Sequence, residues 1–227
     1  MIKKFLLLFL IVTLLLSCRN KKDLTVPPSS DLSDFYPLKK GSYYVYRLEE
    51  KHYSSGNVFD SSGFLKVSYV QTWTDAQGGI SFKAYRYKKF SDTAIYKISA
   101  VWSATSKEEN KSIVTENNIP FIKLHYPLSE GRKWDGNAFN TLGTETYTAV
   151  NVGQSWSNYP STVTIVQRND TNLLSRDFRT EVYALNVGLI YKETRTVKYS
   201  GSVEDFGKGI IVDGVVIKQK LLEYGIE

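Results

Sequence analysis

The chain reads as an all-β protein, mostly antiparallel, with a strongly curved sheet or partly closed barrel favoured over a two-sheet β-sandwich. Three observations predict this. Several segments alternate with period two and are rich in aromatic and β-branched residues, the pattern of half-buried strands. Helical periodicity is nearly absent. The strands also follow one another through short turn sequences, and long aromatic strands in such a meander bury one face by curling or stacking.

The elements follow in order. Tyr43 to Glu49 is the first strand, and Phe64 to Thr74 the second, with Leu65, Val67, Tyr69 and Trp73 on one face. Asp75-Ala76-Gln77-Gly78-Gly79 supplies turn chemistry, and Ile80 to Phe90 returns with Ile80, Phe82 and Ala84 alternating against Ser81, Lys83 and Tyr85. A strand from Thr93 to Trp102 completes the meander. Further strands are expected at Thr144 to Val152, Thr162 to Gln167, Arg179 to Ala184, Leu189 to Tyr199 and Ile217 to Tyr224. Ile210 to Val212 and Val215 to Ile217 flank Asp213-Gly214, a pair suited to a type I′ turn, so they read as a hairpin. Polar stretches Ser103 to Ser112 and Gln167 to Asn172 read as exposed loops, and a short helical turn is expected near Asp31 to Phe35.

One internal echo stands out. Tyr36-Pro37-Leu38-Lys39-Lys40-Gly41 recurs as Tyr126-Pro127-Leu128-Ser129-Glu130-Gly131, each followed closely by aromatics. Each copy looks like a proline turn and glycine bend feeding a strand, either by duplication or by shared geometry.

The N-terminus carries an address. Lys3 and Lys4 precede an apolar run from Phe5 to Leu16, which ends at Ser17 and Cys18. Twelve residues at about 1.5 Å rise span only about 18 Å, short of a hydrocarbon core near 30 Å, so an export signal is favoured over a membrane-spanning helix. The segment Leu15-Leu16-Ser17-Cys18 resembles the lipobox of bacterial lipoproteins. That resemblance implies a signal peptide over 1–17, a diacylglyceryl group on Cys18, and a chain anchored to the membrane through its N-terminal lipid. Two acyl chains give stable anchoring where one does not. Arg19 to Asp34 reads as a flexible tether, and 35–227 as a single β-domain. Arg19, where enterobacterial lipoproteins retained in the inner membrane have aspartate, implies by the same resemblance an outer-membrane location, with periplasmic and surface faces both open. Phe35 to Tyr46 and Glu181 to Ile190 are similar to segments of uncharacterised Bacteroidetes-type envelope lipoproteins, a resemblance that carries no catalytic residues. Asp92-Thr93-Ala94 resembles the O-glycosylation pattern of extracytoplasmic proteins of such bacteria, which makes Thr93 a candidate glycan site.

Charge and motifs narrow the function. Without Lys3 and Lys4 the chain has 27 basic and 23 acidic residues, intermixed and without a basic run, so nucleic acid is not an expected partner. Cys18 is the sole cysteine, so the domain has no disulfide and depends on packing. Neither H-E-x-x-H nor G-x-S-x-G nor a phosphate loop occurs, and His52 and His125 read as ordinary imidazoles beside tyrosines. No metal, cofactor or catalytic residue is expected. Asp135, Glu145, Glu181 and Glu193 leave a carboxylate hydrolase as the least favoured reading. Trp73, Trp102, Trp134 and Trp156 are the candidate ligand-stacking aromatics, because indole rings stack on sugar C–H faces or line apolar pockets. The expected function is a non-enzymatic envelope domain that binds a glycan or a lipid. The alternative is an accessory subunit docking onto another envelope protein.

Overall fold

The computed structural model describes residues 35–74, 78–108 and 110–227. Twelve antiparallel strands form one sheet: β1 (Ser42–Ser54), β2 (Asn57–Thr74), β3 (Ile80–Lys89), β4 (Lys97–Glu108), β5 (Lys111–Glu116), β6 (Ile119–His125), β7 (Lys133–Asp135), β8 (Thr146–Trp156), β9 (Tyr159–Thr171), β10 (Ser175–Ala184), β11 (Gly188–Tyr199) and β12 (Ile211–Ile226). Each strand pairs with its chain neighbours except β6 with β7, and β1 also pairs with β12. The result is a nearly closed barrel, as the curved-sheet reading expects, and not a two-sheet sandwich. The remaining seam lies between β6 and β7. There the Trp134 indole N–H donates to the Ile122 carbonyl at 2.9 Å, and the Ile122 N–H donates to the Gly136 carbonyl at 2.9 Å.

Bulges provide the curvature that closure needs. The pairing register shifts by one residue at Val70 on β2, Lys123 on β6, Gln167 on β9, Ile190 on β11 and Leu222 on β12. The bulge at Val70 resets the alternation of β2. Leu65, Val67 and Tyr69 are therefore buried as expected, whereas Trp73, assigned to their face from periodicity, is 44% exposed. The core inside the barrel is built from Leu65, Leu124, Val163, Ile165, Tyr183 and Ile190, each fully buried. Burying one such aliphatic side chain contributes about 1.5–3 kcal/mol.

Several sequence expectations are corrected. Ser103 to Ser112 is not a loop: β4 continues to Glu108 and β5 begins at Lys111, because Ala104, Ser112 and Val114 alternate into the interior. Gln167 to Asn172 is likewise strand as far as Thr171. Its polar outer residues are matched across β10, with Arg168 Nη1 3.0 Å from Asp177 Oδ2. β4 starts at Lys97, so Thr93 lies before it in an exposed turn. β5, β6 and β7 had no counterpart among the expected strands. The Asp213-Gly214 hairpin does not exist: both residues lie within β12, pairing with Lys198 and Val197 of β11. The chain reverses earlier, over residues 200–210, where Ser200 and Ser202 both donate to Asp205 at 3.1 Å. Of the expected helical turn, only Phe35 is described, and it sits in a turn.

The echo has a shared geometry. Gly41 and Gly131 both take positive φ (85° and 74°). In each copy a turn closes three residues on, from Ser42 N to Lys39 O and from Arg132 N to Ser129 O, both 3.1 Å. Each glycine N–H then donates to the next strand but one, to Tyr69 O at 2.7 Å and to Ala149 O at 2.8 Å. The two copies introduce β1 and β7, so each opens a run of six antiparallel strands.

Alternating direction puts the β1–β2, β3–β4, β7–β8, β9–β10 and β11–β12 connections at one end of the barrel. The chain enters β1 at the other. The first end carries a rim of exposed apolar side chains, including Phe59, Phe90, Ile95, Leu173, Val203 and Phe206.

Candidate functional site

Two features hold side chains that can recognise a ligand, and Trp102 borders both. One is a cavity of about 70 Å³ in the barrel lumen, near the end where the chain enters and lined in part by Tyr36, Pro37 and Leu38. The other is a shallow groove lined by Trp73, Trp102, Lys83, Gln71 and Asn118.

The lumen is aromatic and charged at once. Tyr44, Tyr46 and Tyr69 enter from β1 and β2 as successive inward positions, and Tyr183 enters from β10. Their rings meet mainly edge to face: Tyr44 on Tyr69 at 6.2 Å, and Tyr36 on Tyr183 at 6.0 Å. Their hydroxyls are occupied. Tyr46 donates to Leu189 O at 3.1 Å, Tyr183 donates to Glu181 Oε2 at 2.7 Å, and Tyr36 and Tyr69 share a bond of 3.1 Å. Burial pushes the pKa of all four phenols on Tyr36, Tyr46, Tyr69 and Tyr183 above the ordinary tyrosine value.

Beside the rings lies a chain of ion pairs. Lys123 is re-aimed into the interior by the β6 bulge, and its ammonium sits 2.7 Å from Glu116 and 3.4 Å from Glu181. Lys192 reaches Glu181 at 2.9 Å. Burial alone would raise the Glu181 and Glu116 pKa values, but Lys123 and Lys192 outweigh it and hold both carboxyls below the usual range. The same pairing overcomes burial at Lys123 and raises its pKa. A general acid requires the opposite shift.

Arg86 is different. Its guanidinium lies 3.7 Å from the Trp102 ring centroid and lines the cavity. Among the described residues it has neither an ion-pair partner within 4 Å nor a side-chain hydrogen bond. Burial lowers its pKa, with Glu116 acting in the other direction.

The four tryptophans have separate fates. Trp73 and Trp102, from β2 and β4, share the groove. Trp134 is buried and serves the seam. Trp156 packs against Tyr191 at 5.3 Å. The other carboxylates are engaged: Glu145 with Arg168, Glu193 with Arg195 at 3.2 Å, and Asp135 with the N–H groups of Asn137 (2.9 Å) and Glu145 (3.0 Å), an Asx turn. The groups that sequence reading missed are Arg86, Lys123 and Glu116, for which residue type carries no hint of burial. Thr93 is exposed, with its hydroxyl 3.4 Å from that of Ser91. Cys18 lies outside the described residues.

The class defined by these features is a twelve-stranded antiparallel barrel with a tyrosine-lined lumen and an internal ion-pair chain. No family model matches the chain, and no curated protein matches it. Among solved structures it is similar to an exported protein with a YmcC-like fold from Bacteroides fragilis NCTC 9343, at 12% identity and a TM-score of 0.46, over 84% of this chain and 98% of that one.

Proposed function

We propose that this is a lipid-tethered envelope protein, anchored through Cys18, whose barrel binds a glycan without catalysing a reaction. The observation that carries the reading is the groove, where Trp73 and Trp102 stand among amide, hydroxyl and ammonium groups of Gln71, Thr72, Lys83, Ser103, Thr115 and Asn118. Ring faces stack on sugar C–H surfaces while polar neighbours bond the hydroxyls. An acyl ligand fits less well. The lumen cavity of about 70 Å³ is lined by five charged side chains, and an acyl chain needs more room and an apolar wall. The lowered carboxyl pKa values in the lumen support binding over hydrolysis.

A glycan array probed with the full chain, followed by titration of the best hit, tests this. Trp73→Ala is expected to weaken binding about tenfold, the equivalent of about 1.4 kcal/mol, without moving the unfolding midpoint. Unchanged affinity in that variant, or no binder on the array, overturns the reading.

The apolar rim favours a second reading, in which this end docks onto another envelope protein. It lies at the opposite end of the barrel from the point where the chain enters β1. Photo-crosslinkers at Phe59 and Phe206 are expected to capture one common protein in the native envelope, whereas a crosslinker at Lys83 in the groove does not. Capture from all three sites equally, or from none, counts against rim docking.

A further inference from the structure

We infer that the lumen is a seat for a small carboxylate monoanion, held by Arg86 on the face of Trp102. The inference goes beyond glycan binding in the groove and stands or falls separately from it.

Three observations carry it. First, the lumen already satisfies its other charges: Lys123 and Lys192 are paired with Glu116 and Glu181. Arg86 has no such partner among the described residues, although it faces the same cavity. Glu116 is its strongest charged influence, yet that carboxylate is committed to Lys123 at 2.7 Å. Second, the charges that line the cavity are Arg86, Lys123 and Lys192 against Glu116 and Glu181, an excess of one positive charge. A partly buried cation without a counter-charge is costly, and one bound monoanion balances it. Third, the guanidinium is already placed. Its carbon lies over the Trp102 ring, 3.7 Å from the centroid, which restricts where the guanidinium can sit, and its planar fork of donors matches the two oxygens of a carboxylate. Tyr46 and Ala84 add apolar lining, and about 70 Å³ suits a short chain of two or three carbons. A doubly charged phosphate would overshoot the balance.

The test uses the full chain, purified from a bacterial envelope in a polyoxyethylene detergent and labelled with 5-fluorotryptophan. Its four tryptophans give four ¹⁹F resonances, and Trp102→Phe identifies the one of interest. Sodium propionate, titrated at constant ionic strength against chloride, is expected to shift the Trp102 resonance saturably and leave those of Trp73, Trp134 and Trp156 in place. Arg86→Gln is expected to weaken that response at least tenfold, while Lys89→Gln, a lysine outside the cavity lining, leaves it unchanged. If the Arg86 variant does not fold, the wild-type titration still decides, since it requires a response confined to Trp102. No saturable shift, a shift spread over all four resonances, an equal response to phosphate, or full retention in folded Arg86→Gln would each overturn the inference. Trp73→Ala, which probes glycan binding, is expected to leave the propionate response intact, so failure of one claim does not imply failure of the other.

Discussion

Replacing Glu181 with leucine is expected to destabilise the barrel by about 3–5 kcal/mol, the usual result of removing one member of a buried ion-paired group. The side chain is 2% exposed and serves three partners: Lys123 at 3.4 Å, Lys192 at 2.9 Å and the Tyr183 hydroxyl at 2.7 Å. Its loss leaves Lys192, among the described residues, with no carboxylate within 4 Å and returns Lys123 to Glu116 alone. Replacing both Glu181 by leucine and Lys192 by methionine is expected to cost less than the two single changes together, because the second substitution removes the stranded charge. Urea denaturation of the four proteins measures this, and strict additivity would refute the coupling. The pH dependence has a definite sign. The folded pKa values of Glu181 and Glu116 lie below those of the unfolded chain, near 4.3. Their contribution is therefore complete above that pH and is lost as the pH falls from there through the folded values. Lys123 is raised in the folded state, so its contribution is complete below the unfolded value near 10.4 and is lost above it. A plateau in urea midpoint between about pH 7 and 10 follows, since His125, held below the ordinary imidazole value by burial, adds its own loss beneath it, and the acid limb is shallower in Glu181→Leu. A midpoint unchanged from pH 7 to pH 3 would sink the account.

What the sequence made legible follows from which physical signals are local. Period-two alternation placed β1, β2, β3 and β8 to β12 near their true positions because half-buried strands must alternate. It missed β5, β6 and β7 and misread the end of β4, where the strands are short or carry serine and charged residues. Ser112 is fully buried there despite its hydroxyl, and no periodicity scale scores that as core. Bulges are equally silent in sequence: nothing in Lys123 or Val70 announces that pairing slips by one residue, yet those slips aim Lys123 inward and Trp73 outward. The aromatic readings divided for the same reason. Trp73 and Trp102 meet in a groove because β2 and β4 both flank β3, and that adjacency is a property of the sheet order.

Gly214→Val is the substitution expected to damage the fold most directly, by about 3 kcal/mol or more, and it tests why a turn-like dipeptide lies inside a strand. A Cβ at this position would lie 2.2 Å from the Thr196 carbonyl oxygen and 2.7 Å from the Val197 Cα. Both obstacles are backbone of the adjacent strand, which no rotamer change can move. The φ angle of +123° adds strain for any L side chain. Asp213-Gly214 is thus glycine used for close strand approach, where β12 lies between β11 and β1. The turn chemistry sits elsewhere, at Ser55-Gly56, where both residues have positive φ (49° and 78°) between β1 and β2. Gly56 has open space around it, so Gly56→Ala is expected to cost only about 1 kcal/mol, from φ alone. Thermal or urea unfolding of the two variants separates the cases. If Gly214→Val were as mild as Gly56→Ala, the β11–β12 contact would have slack, and the continuous β12 strand would lose its explanation for a glycine at that point.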